Sequence, residues 1–157
     1  LRSAHMLGNE EEIIFAATDL LADTKLAPEL SNEAHYYRAK AYLDAGKTDG
    51  AMEDLKVLAK DTRNVYGAEA KYKVAQIYFD GGQTDKAEQE VLNYIEVSTP
   101  HTYWLARSFV LFADVYMKLG RNLDAKQYLL SLKQNYQADD DIAGMIESRL
   151  EKLKTEN

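Results

Sequence analysis

Four glycines set the frame of this chain. Gly8, Gly46, Gly82 and Gly120 stand 38, 36 and 38 residues apart. Four residues before the last three comes a tyrosine (Tyr42, Tyr78, Tyr116), and three before each tyrosine an alanine (Ala39, Ala75, Ala113). Five residues after each of those glycines stands a further alanine: Ala51, Ala87 and Ala125. Landmarks returning in phase over three copies mean a repeated unit, and repeated units stack on one another.

The physics of one unit is that of two antiparallel helices. From Glu33 to Ala45, Ala34, Tyr37 and Ala41 recur at three and four residues, the amphipathic helix period. Gly46-Lys47 breaks the helix, with the glycine able to take the left-handed conformation just past its end. Thr48 is then expected to N-cap the second helix, as is Thr84 one unit later. Its apolar stripe is Ala51, Leu55 and Leu58, matched by Ala87, Val91 and Tyr94, then by Ala125, Leu129 and Leu132. The alanines let the helices approach closely and the tyrosine fills the space above them. Helices this short cannot bury an apolar face alone, so stacking on neighbours stabilises them.

Composition agrees with a folded, mostly helical protein. The 157 residues are 46% hydrophobic with two prolines, eight glycines and no cysteine. The missing cysteines exclude a disulfide framework, thiolate zinc sites and a cysteine nucleophile. A formal charge of −7, from 19 Lys and Arg against 26 Asp and Glu, argues against nucleic-acid binding. No apolar run approaches the roughly 20 residues of a membrane span.

The alanine, tyrosine, glycine and alanine landmarks resemble those of the tetratricopeptide repeat, a helix–turn–helix unit of about 34 residues. The resemblance runs to about Tyr136. It departs where His35, Lys71 and Phe109 replace the early-helix tryptophan, and where the Asp61-Thr62-Arg63 corner lacks the usual proline. Pro28 and Pro100 stand near two other unit ends. The unit length of 36 to 38 residues is similar to that of bacterial envelope members, such as the Tol-Pal-associated and outer-membrane-assembly types. That likeness suggests a periplasmic or envelope-associated protein, with a cytoplasmic one left open.

The resemblance implies an all-α chain: a right-handed α–α superhelix closed by a C-terminal capping helix. One domain, 1–157, is expected to divide into a truncated first repeat (1–31), repeats at 32–67, 68–105 and 106–138, and the cap at 139–157. Leu1, Ala4 and Met6-Leu7 keep a helical spacing into Gly8-Asn9, a helix stop. Residues 1–6, including His5-Met6, therefore read as native sequence rather than tag, and the chain is expected to open inside a helix. In the cap, Ile142, Met145, Ile146, Leu150 and Leu153 form one apolar stripe behind Asp139-Asp140-Asp141, acids that suit a helix start. Those three acids lack the spacing and glycine of a calcium loop.

Nothing points to catalysis or a cofactor. His5, His35 and His101 form no metal-ligand pair and read as packing or surface residues. Gly81-Gly82 lacks the lysine of a phosphate loop, and Ser98-Thr99-Pro100 is a loop without the context of a nucleophilic serine. Trp104, beside Tyr103 at a helix start, is expected to pack on the preceding unit.

In this repeat class the first helices line the concave surface. Carried over, the partner-binding positions are Tyr36, Lys40 and Leu43, then Tyr72, Gln76 and Phe79, then Val110, Asp114 and Met117. They make an aromatic and aliphatic strip with polar hooks, suited to an extended peptide or partner helix. Members that grip a chaperone's C-terminal carboxylate use a Lys, Asn and Arg cluster. Here Tyr36, Tyr37, Lys40 and Tyr72 leave one cation at those places. The leading expectation is a non-catalytic protein-binding scaffold. The alternative is the terminal segment of a longer solenoid, serving assembly or homo-oligomerisation through an open N-terminal end.

Overall fold

The computed structural model describes residues 9–97 and 99–155, which form eight α-helices and no strand. They are α1 (Glu10–Leu21), α2 (Pro28–Asp44), α3 (Thr48–Leu58), α4 (Val65–Asp80), α5 (Thr84–Glu96), α6 (Thr102–Lys118), α7 (Asn122–Asn135) and α8 (Ile142–Thr155). After α1 the helices alternate as pairs, α2–α3, α4–α5 and α6–α7, with α8 following the last.

The landmark glycines close the first helix of each pair in the same way. Gly46, Gly82 and Gly120 have φ of 75, 79 and 78°, where a Cβ would be strained. The N–H beyond each glycine reaches back to the landmark tyrosine: Lys47 to the Tyr42 carbonyl at 2.7 Å, Gln83 to Tyr78 and Arg121 to Tyr116 at 2.8 Å. This is the Schellman closure, which satisfies carbonyls left open at the helix end.

It also corrects the expected capping. Thr48 and Thr84 are the first helical residues, while Lys47 and Gln83 hold the N-cap positions without a side-chain bond. The turn is so tight that the residue ending one helix already starts the next: the Lys47 carbonyl accepts from Ala51 N–H at 3.2 Å.

Two asparagines cap other helices. Asn9, expected to stop a helix, starts α1 by accepting from Glu12 N–H at 3.0 Å. The expected helix over Leu1 to Leu7, His5 and the stop at Gly8 lie outside the described residues, as does Ser98. Asn64 caps α4 by accepting from Tyr66 N–H at 2.8 Å. The first helix of the opening pair starts at Pro28 rather than Glu33, since proline at a first helical position needs no hydrogen-bond donor.

All six landmark alanines are buried, and their small side chains let paired helices pack backbone to backbone. One core cluster joins α2, α3 and α4 through Ala39, Ala51, Leu55, Leu58, Ala70 and Val74. A larger one runs from α4 to α8. Ile142, Ile146 and Leu153 of α8 join it, covering the last pair as a cap must. Asp140 starts that helix by accepting from Ile142 N–H at 2.9 Å.

The contacts also fix which side of the stack is inner. First helices touch the first helices of their neighbours: α2 with α4, α4 with α6, and α6 with α8. Among the described residues, successive second helices make no comparable contact. A stack that closes up along one row and opens along the other curves toward the closed row, so the first helices line its inner face.

Candidate functional site

The inner face is built from one register of each first helix. On α6, Arg107, Val110, Leu111, Asp114, Met117 and Lys118 recur at three and four residues and so share a face. Together with α4 and α8 they enclose two adjoining clefts. The larger, of about 510 Å³, is lined by Phe79, Asp114, Met117, Lys118, Ser148, Arg149 and Lys152. The second, of about 220 Å³, is lined among others by Tyr72, Gln76, Arg107, Val110 and Met145.

Six of the nine positions carried over from the sequence therefore come together: Tyr72, Gln76, Phe79, Val110, Asp114 and Met117. They do so unequally. Tyr72 at 6% exposure and Val110 at 2% belong to the core, and only their edges reach the cleft. Phe79 and Met117 are partly buried against that core and form the apolar floor.

Tyr36, Lys40 and Leu43 of α2 are absent from both linings. The Tyr36 ring lies 4.4 Å from that of Tyr66, and its hydroxyl donates to Glu69 at 3.0 Å, tying α2 to α4. Burial, reinforced by the Glu69 charge, raises the Tyr36 phenol above its ordinary pKa, so it stays a donor. Lys40 lies over the same ring at 5.3 Å, and Leu43 packs on the α2–α4 core.

A hydrogen-bonded chain crosses the inner face. Gln76 donates to Asp80 at 2.8 Å and accepts from the Tyr72 hydroxyl at 2.8 Å. Arg107 donates to Tyr72 Oη at 2.9 Å and to Tyr103 Oη at 3.0 Å. Tyr103 in turn donates to Asp141, just before α8, at 2.9 Å. The Arg107 guanidinium also lies 4.8 Å from the Tyr72 ring centre, a cation–π distance. Trp104, 5.7 Å from Tyr72, packs on the preceding pair as expected.

Asp114, carried over as a polar hook, is held by Arg149 of α8 through two bonds of 2.7 and 2.9 Å. That two-pronged pair binds the cap to α6 and occupies most of what Asp114 offers a partner. Sequence reasoning missed Arg107, Arg149, Met145 and Lys152. Extending the α6 register one turn back would have found Arg107; the others sit on a helix treated only as a cap.

His35 and His101 have structural partners. His35 Nδ1 lies 2.8 Å from Asp54, and His101 Nε2 lies 2.9 Å from the Arg63 carbonyl. Among the described residues no group of three or more His, Asp or Glu is placed to hold a metal ion. None of their helices is long and apolar enough to cross a membrane.

Paired helices, glycine-closed turns and a first-helix inner face define an α-helical repeat solenoid. Residues 33–61, from within α2 to just past α3, match the model of the tetratricopeptide repeat family. That segment is similar to a tetratricopeptide repeat, a unit that in general serves as a non-catalytic module for protein–protein interaction. Comparison with curated proteins found no match, and neither did comparison with solved structures.

Proposed function

We propose that this chain is an adaptor whose inner face, between α4, α6 and α8, binds a peptide or a helix of a partner protein. The observation that carries this reading is the cleft of about 510 Å³ with Phe79 and Met117 as its floor. Apolar side chains ringed by polar ones at the bottom of a groove are what extended or helical ligands anchor into. The residues in contact with the partner are Gln76, Phe79, Met117 and Arg149, all of which line the clefts.

The test is a photo-crosslinking residue placed at Phe79 or Met117, compared with Leu92 or Leu123 on the exposed faces of second helices. Partner adducts from the groove positions are expected. Adducts from Leu92 or Leu123 alone would overturn the reading.

A second reading has its own observation. Phe15 on α1 is 77% exposed, and Leu30 at the start of α2 is exposed too. An aromatic side chain left in water at one end of a stack supports docking of another helical element or a second copy there. Sedimentation would then show association that Phe15→Ser abolishes. A monomer at all concentrations, with Phe15 failing to crosslink to any protein, would dismiss it.

A further inference from the structure

We propose that the inner cleft selects an acidic segment: an extended stretch of a partner with two Asp or Glu side chains flanking an apolar one. The inference rests on the groove reading above and names its ligand chemistry. The whole chain carries a formal charge of −7. Yet the two adjoining clefts are lined by four cations, Arg107, Lys118, Arg149 and Lys152, against the single carboxylate of Asp114.

Arg149 already neutralises that carboxylate through both of its oxygens. The other three cations have no carboxylate partner among the described residues. Arg107 is the most telling. Two phenol oxygens and the Tyr72 ring fix its guanidinium in place without cancelling its charge. A guanidinium has five N–H donors, so several stay available for an incoming carboxylate.

The spacing decides between one carboxylate and several. Arg107 and Lys118 lie on one face of α6, three turns apart, which is about 16 Å along the axis. No single carboxylate reaches both, so a free chain terminus does not satisfy the site. An extended segment advances about 3.3 Å per residue and covers that distance in about five. Two acids some five residues apart meet Arg107 at one end and Lys118 with Lys152 at the other. Met117 directly precedes Lys118, and Phe79 lines the same cleft, so the apolar residue that falls over them is the one beside the second acid.

The experiment is fluorescence anisotropy with three labelled, C-terminally amidated peptides and the full chain. One carries two Glu five residues apart around Leu and Phe; the second has Gln for Glu; the third has Lys. The Glu peptide is expected to bind about tenfold tighter than the Gln peptide, as two solvent-accessible ion pairs of about 0.7 kcal/mol each would give. That advantage should shrink as salt rises and vanish in Lys118→Glu/Lys152→Glu, two exposed positions whose exchange leaves helicity intact.

Equal affinity for all three peptides, lost in Phe79→Gln with helicity retained, would keep the groove and overturn the acidic partner. Binding indifferent to both Phe79→Gln and the charge reversal would overturn groove and acid preference together. No binding of any peptide at about 1 mM would overturn the acidic partner, leaving the groove to the crosslinking test. Tighter binding of a single-stranded oligonucleotide than of the Glu peptide would also overturn it, by making the cations a phosphate site.

Discussion

Asp54 anchors a set of side-chain bonds that joins the first three helices. It is 1% exposed on α3, and an isolated buried carboxylate would be costly. Arg38 of α2 reaches it with Nε at 2.8 Å and a terminal nitrogen at 2.6 Å, and His35 lies 2.8 Å away. Arg38 also donates to Thr18 of α1 at 3.1 Å, so one guanidinium joins three helices. Burial pushes the Asp54 carboxyl up, but the hydrogen bonds and charges of His35 and Arg38 outweigh it and hold the group below the usual carboxylate range. A depressed folded-state pKa contributes stability above the unfolded value of 3.8, which is lost as pH falls through the folded one. The melting temperature should therefore drop on acidification below about pH 4, and part of that drop should disappear in Asp54→Ala. At neutral pH that substitution should cost about 3–5 kcal/mol in chemical denaturation, because Arg38 is left without its counter-charge. Ala75 makes the complementary case for size. It is buried between α4 and its neighbours, so Ala75→Leu should cost about 1–3 kcal/mol by overpacking. An unchanged midpoint would mean that the pair tolerates a wider spacing.

Among the helices, α4 shows how close approach and turn geometry differ as demands for glycine. A Cβ on Gly67 would fall 1.9 Å from the Asp61 carbonyl oxygen and 2.6 Å from that of Leu58, so the start of α4 rests on the end of α3 backbone to backbone. Gly67→Ala should therefore displace α4 and lower stability by several kcal/mol, as no rotamer relieves a clash with backbone. At Gly82 nothing lies within 4 Å, and the demand is φ of 79° alone. Gly82→Ala should cost only about 1–2 kcal/mol, the strain of one left-handed residue. Thermal melts of the two variants separate these causes, and equal losses would refute the distinction. The corner next to Gly67 is tied down further. Tyr94 donates to the Ala68 carbonyl at 3.1 Å, Thr99 to the Thr62 carbonyl at 2.7 Å, and burial pushes the Tyr94 phenol up to about 12. These bonds stand where the usual proline of the corner is missing.

For the molecule as a whole, stability should be local along the stack, since among the described residues the helix contacts run between neighbouring pairs. Arg149→Ala breaks the α6–α8 pair, so hydrogen exchange should quicken in α8 and α6 and leave α2 and α3 unchanged. Uniform acceleration would mean that the chain unfolds as one unit. The helices were legible in the sequence because glycine, alanine and tyrosine act through local backbone geometry and nearest-neighbour packing, which repeat with the unit. The capping at Asn9 and Asn64 was less so, because an asparagine marks a cap only once the helix start is known.

The inner face was legible in part. Register alone brought Tyr72, Gln76, Phe79, Val110, Asp114 and Met117 together, since one face of a helix follows from its period. It did not reveal that Tyr72 and Val110 are spent on the core, that Asp114 is held by Arg149, or that Arg107 has no carboxylate partner among the described residues. Spacing along one chain segment thus determined the repeat, its helix pairs and the face each helix presents. Only the tertiary structure decided which groups on that face remain available, because burial and charge pairing depend on neighbours more than 30 residues away in the chain, such as Arg149 from Asp114.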